Sequence, residues 1–162
     1  MVWEHIFYYL DFQSILALQK TCHGFRDFIE EEKPDLNLSS MDIFLFPRFA
    51  RLVLKSKIDK KTVIIEYGGT DTGCQVSSRP DQRIIIDGFH FLYIFAENDL
   101  KIVLKYQKSL LDYLNLHVDH KGQQGRQMDK MVSHFIPFFV DLLKSRRRAL
   151  TKTTNFKWNP NP

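Results

Sequence analysis

Cys22 and His23 stand side by side in LDFQSILALQKTCHGF (10–25), and a thiol beside an imidazole is the pairing from which cysteine nucleophiles and zinc sites are built. The surrounding residues argue against either use. Ile15, Leu18, Cys22, Phe25 and Ile29 step by 3, 4, 3 and 4, which lines them along one side of a helix, with Leu16 and Phe28 widening that side. Cys22 is therefore a position on an apolar stripe, where desolvation disfavours the thiolate. His23 lies about 100° further round the helix and faces elsewhere. The pair reads as a small packed cysteine and a surface histidine.

The other chemistry-bearing residues fare similarly. His117 and His120 form H-x-x-H around Asp119, but zinc needs three or four ligands. The rest would have to come from His134, Cys74 or a distant acid. Glu30, Glu31 and Glu32 are consecutive on a helix end and point in different directions, so they read as solvation without a shared proton site. YGGTDTG (67–73) has neither phosphate-loop spacing and reads as a hairpin turn. KSRRR (144–148) lacks the interleaved aromatics that stack on bases, and its charges complement the C-terminal end of an apolar helix. No catalytic residue, metal site or cofactor is expected, and no enzyme activity.

The elements that must carry these residues begin at the N-terminus. Residues 2–32 read as about three short helices, with Ser14 as a cap and Lys33-Pro34 as the stop. RLVLK, TVIIEY, RIIID and FLYIF then read as strands of a small antiparallel sheet of three to five strands. Asn98 or Asp99 is expected to cap a helix reaching to about Leu114, with Leu100, Val103, Leu104, Gln107, Leu111 and Leu114 on one face. LNLHV (114–118) alternates like a strand. Met128, Met131, Val132, Phe135, Phe139, Leu142 and Leu143 mark another helix, which Pro137 must kink or restart. NFKWNPNP shows no structural pattern.

Composition sets the class. At 44% hydrophobic and 26% charged, the chain has the makings of a core and is not disordered. The net charge of +4 is uneven: residues 1–100 hold 11 Lys/Arg against 15 Asp/Glu, whereas residues 101–162 hold 12 against 4. A nucleic-acid-binding reading through Arg146, Arg147, Arg148 and nearby lysines is the alternative this leaves, and it is not favoured. Two cysteines match no disulfide framework, no run approaches the ~20 residues of a membrane span, and no secretory signal is visible. The protein is expected to be intracellular, in cytoplasm or nucleus, with no membrane contact.

Leu10-Asp11, Ile15-Leu16, Leu18, Cys22 and Phe25 sit at spacings that resemble an F-box. FRDFIEEEKPDLNLSSMDIFLF, VIIEYGGTDTGCQV, AENDLKIVLKYQKSLLDYLNLHV and LLKSRRRALTKTTNFKW resemble the nematode-type F-box proteins that carry the F-box-associated FTH domain. The resemblance implies an α+β chain: a short N-terminal three-helix F-box module (1–34, with a shortened first helix), an F-box-associated region with a small antiparallel sheet and packed helices (40–118), and the C-terminally truncated start of an FTH domain (125–162). It implies a non-catalytic substrate-recognition adaptor of an SCF-type ubiquitin ligase. Docking on a Skp-type adaptor, and through it on cullin, would use Trp3, Glu4, Ile6, Leu10, Ile15, Leu16, Leu18, Cys22 and Phe25. The C-terminal region would select an unknown target protein. A truncated, non-functional paralogue is the further alternative.

Overall fold

A computed structural model describes residues 14, 15, 18, 23–32, 34–79, 82–88, 90–119, 125–145 and 154–159. Ser14, Ile15 and Leu18 are helical, and helix α1 (His23–Glu32) follows. Strands β1 (Leu38–Leu45), β2 (Phe49–Ser56), β3 (Thr62–Gly69), β4 (Gly73–Arg79) and β5 (Gln82–Asp87) then form consecutive antiparallel pairs. Next comes a helical stretch: α2 (Phe91–Tyr93), a π-helical segment Ile94–Leu100, and α3 (Lys101–Tyr106). Strand β6 (Tyr113–Asp119), helix α4 (Gly125–Ser145) and strand β7 (Thr154–Asn159) complete the described residues.

All seven strands form one sheet, ordered β5-β4-β3-β2-β1-β6-β7. The α+β class matches the sequence reading, with one enlargement. Beyond the antiparallel meander, β6 adds to β1 in parallel and β7 adds to β6 in parallel. Parallel neighbours need a long crossover. Between β1 and β6 the chain passes through the meander β2–β5 and then the helical stretch 91–106, and α4 alone, among the described elements, joins β6 to β7.

Alternation decides which face of the sheet is covered. Met41, Ile43 and Leu45 of β1, Ala50, Leu52 and Leu54 of β2, Ile65 and Tyr67 of β3, and Leu114, Leu116 and Val118 of β6 are buried together with Phe91, Phe95, Leu100, Val103 and Leu104. Phe135 and Phe139 of α4 close the same core, with Phe135 stacked 5.7 Å from Phe95. Helix α4 runs through Pro137, which is exposed. The opposite face carries polar pairs such as Arg51 with Glu66 and Asn115 with Asp42, and a Phe44–His117 stack at 4.5 Å.

Three expectations are corrected. FLYIF, expected as a strand, is helical, because Phe91, Ile94 and Phe95 bury one side at helical spacing and His90 Nδ1 accepts from the Leu92 amide to cap it. Packing here overrides the β-preference of aromatic and branched residues. The helix expected from Asn98 or Asp99 to Leu114 instead starts at Phe91 and stops at Tyr106, where Gln107 turns extended. The tail expected to be featureless contains β7. YGGTDTG does form the β3–β4 turn, closed by Thr70 N–H to Gly73 O at 2.9 Å. A Cβ at Gly73 would stand 2.1 Å from the Ile86 carbonyl oxygen, so only glycine fits there.

Tyr67 of β3 and Cys74 of β4, on either side of this turn in sequence, are two buried titratable residues. Tyr67 donates its hydroxyl to Asp99 Oδ2 at 2.5 Å and meets Phe95 edge-on. Burial, then Asp99, pushes the tyrosine well above its ordinary pKa. Burial, then the same carboxylate, pushes the Cys74 thiol up to about 11. Both groups keep their protons longer folded than unfolded, so stability is full below the unfolded thiol value of 9.0 and falls as pH rises through about 11. Urea unfolding at pH 8 and pH 11 should differ by about 2–3 kcal/mol from Cys74 alone. Cys74→Ala should remove that part of the slope; an unchanged slope in the variant contradicts the assignment.

Candidate docking site

Helix α1 forms because Phe25, Phe28 and Ile29 recur on one side while His23, Arg26, Asp27 and Glu31 face water. It ends at Glu32, ahead of Pro34. Its apolar side is held by the rest of the chain: Ile29 is fully buried, Phe28 packs on the core, and so do Ile15 and Leu18 from the preceding turn.

Polar contacts fix the helix end. Glu30, read from the sequence as a solvated acid, instead forms an ion pair with Lys105 and accepts the Tyr106 hydroxyl at 2.7 Å. The segment after α1 is then stapled to the end of α3. Asp35 Oδ1 accepts the Lys108 amide at 3.0 Å, and the Leu36 amide donates to the Tyr106 carbonyl at 3.2 Å. Asn37 takes a left-handed backbone (φ 50°), with its amide donating to Asp35 Oδ1 at 3.1 Å.

Gln107 completes the junction. It is buried in the core, 2% exposed, the buried polar or charged side chain among the described residues. Its Oε1 accepts the Leu38 amide at 3.1 Å while its Nε2 donates to the Leu38 carbonyl at 3.2 Å and to the Ser109 carbonyl at 2.6 Å. The side chain thus mimics a strand neighbour for the first residue of β1. One signal for it was in the sequence: a glutamine on an otherwise apolar helix face must find internal partners.

The sequence-predicted docking residues divide between described and undescribed positions. Ile15 is 1% exposed and belongs to the interior, Leu18 is half-buried against the core, and Phe25 is half-buried on α1. Trp3, Glu4, Ile6, Leu10, Leu16 and Cys22 lie outside the described residues. So do His120 and Arg146, Arg147 and Arg148, while Lys144 pairs with Asp141 at 3.3 Å. His117 stacks on Phe44, with Nε2 3.9 Å from Asp42 Oδ1. Among the described residues, no three or more His, Cys, Asp or Glu side chains gather as metal ligands. No helix among them is long and apolar enough to cross a membrane.

Compared with known protein families, residues 2–37 match the F-box domain. An F-box domain is therefore present at the N-terminus. Its matched range takes in α1 and ends at Asn37, one residue before β1 begins. The Gln107–Leu38 bonds accordingly sit at the boundary between the F-box domain and the sheet. No curated protein and no solved structure matches the chain.

Replacing Gln107 by leucine leaves both backbone groups of Leu38 buried without their partner. Gln107→Leu should lower the free energy of unfolding by about 2–3 kcal/mol, measured by urea denaturation. A loss below about 0.5 kcal/mol, the scale of a neutral surface change, contradicts this role.

Proposed function

We propose that the chain is a substrate-recognition adaptor of an SCF-type ubiquitin ligase. The F-box domain at residues 2–37 carries this reading. In it, the F-box helices dock on a Skp-type adaptor, which links the chain to cullin, and the sheet with its helices presents the target protein. The bond-making chemistry of ubiquitin transfer would belong to other subunits, so this chain's task is to hold two proteins at a fixed separation. The lock at Asp35, Gln107 and Glu30 supports that task, because an F-box domain fixed to the sheet positions whatever the sheet holds.

Within this proposal the docking surface is made by Trp3, Glu4, Ile6, Leu10, Leu16, Leu18, Cys22 and Phe25, and Ile15 contributes from inside by holding the helices against the core. Apolar side chains beyond what a small module can bury by itself suit such a partner. We further propose that residues 40–118 form an F-box-associated region and residues 125–162 the start of an FTH-type domain, on the resemblance of their long segments to that family. The β6–β7 pairing makes these two regions parts of one sheet.

Pulldown of a Skp-type adaptor by the purified chain tests the proposal. Wild type should capture it, and Leu16→Asp/Phe25→Asp should weaken capture by about thirtyfold or more, as loss of central apolar anchors does. Absence of capture by folded wild-type protein removes the adaptor function.

A further inference from the structure

Among the described residues β5 is an edge of the sheet, and apart from an irregularity at its first residues, opposite Ser77–Arg79, its ladder runs on without interruption. Sheet edges are templates for further pairing, and proteins blunt them with lysine, proline or bulges. Strand β5 is QRIIID: it contains no lysine and no proline, and from Gly73/Asp87 to Ser77/Arg83 its pairing with β4 is regular. No other strand among the described residues covers its outer side. Ile84 is 61% exposed and Ile85 65%, on opposite faces of the strand, making them the most exposed large apolar side chains described. Arg83 is also exposed and makes no ion pair among the described residues.

The order of residues identifies what fits this edge. Laid antiparallel against itself about Ile85, the strand places Arg83 opposite Asp87, Ile84 opposite Ile86 and Ile85 opposite its own copy. Directly opposed residues share a face. One face of the joint would therefore carry Arg83–Asp87, Ile85–Ile85 and Asp87–Arg83, and the other face two Ile84–Ile86 pairs. Opposite charges meet twice and branched apolar side chains meet three times. A slip of one residue in the sum of partners separates both Arg83–Asp87 pairs and leaves two Ile–Ile pairs, so the charges select the register. Asp87 is exposed, and among the described residues its carboxylate takes part only in a long contact from Thr72 Oγ1 at 3.4 Å, so it can turn to a new partner.

We propose that β5 pairs with β5 of a second copy of this chain, joining the two sheets across a two-fold axis at Ile85. Such an interface is isologous, each side giving the same residues to the other, and it closes after two copies. It removes both free edges and covers Ile84 and Ile85 together. It does not depend on the F-box reading.

Charge exchange tests this on the full chain by light scattering coupled to gel filtration, from dilute to concentrated solution. Wild type should reach twice the 19.2 kDa of one chain as concentration rises. Arg83→Asp alone and Asp87→Arg alone should each weaken the dimer by about tenfold or more, since like charges then face each other twice. Mixing those two variants should restore a dimer containing one of each, and the doubly exchanged Arg83→Asp/Asp87→Arg chain should dimerise by itself. Ile85→Lys should give a monomer with unchanged far-ultraviolet circular dichroism. A wild type that remains at one chain mass at every concentration overturns the proposal. A dimer indifferent to Arg83, Asp87 and Ile85 substitutions overturns it equally, by locating association on another surface.

Discussion

The side-chain amide of Gln107 bonding both backbone groups of Leu38 is the constraint on which the arrangement of this protein depends. A strand cannot begin in a dry interior unless its first amide and carbonyl are satisfied. β1 begins where the F-box domain ends, so no earlier strand residue is available to do this. The end of the helical stretch supplies a side chain in place of a strand. Because Glu30 on α1 is tied to Lys105 and Tyr106 in the turn just before, the F-box helix and the first strand are referred to the same few residues. Orientation between the two parts is thereby a property of the fold rather than of a linker.

The sheet follows from the same geometry. β1 is central, with the meander β2 to β5 on one side and the parallel additions β6 and β7 on the other. Among the described residues the helical side chains in the core share one face of the sheet with the buried strand residues, the other face carries polar pairs such as Arg51 with Glu66, and β5 stands at the edge. The π-helical segment belongs to this layer. It carries Phe95 and Leu100 into the core while bringing Asp99 onto Tyr67. Tyr67 and Cys74, both buried, then have protons whose loss is tied to unfolding, with Asp99 supplying part of the cause.

Much of this was legible in the residue pattern, and the omissions have physical reasons. β2, β3, β5 and β6 were visible because branched residues alternate within them between turn formers. β4, with GCQVSSR, carries too few apolar residues for that pattern and is held by pairing with its neighbours, whereas β1 does alternate over Met41, Ile43 and Leu45 and was hidden by Ser39-Ser40, which reads as a break. FLYIF misled because aromatic and branched residues favour strands until a tertiary core takes one helical face. Cys22 and His23 raised a chemical question that the stripe around them answered with packing; Ile15 and Ile29 of that stripe do lie in the core. Ile15 also shows the limit of motif reading, since spacing marks an apolar position but not whether its partner is internal or another protein. Glu30 and Asp35 could not be recognised locally, as their partners lie more than seventy residues away.

Amide hydrogen exchange, followed residue by residue in the intact chain, addresses the central point most directly. If the F-box helix and the sheet are fixed to one another through Gln107 and Glu30, the amides of Leu38 and of the last turn of α1 should exchange as slowly as those of Ile43 and Leu52 in the core strands, through global unfolding. Exchange of the α1 amides orders of magnitude faster than the strands, with Leu38 following α1, would contradict the account by showing the F-box helix detaching from an intact sheet.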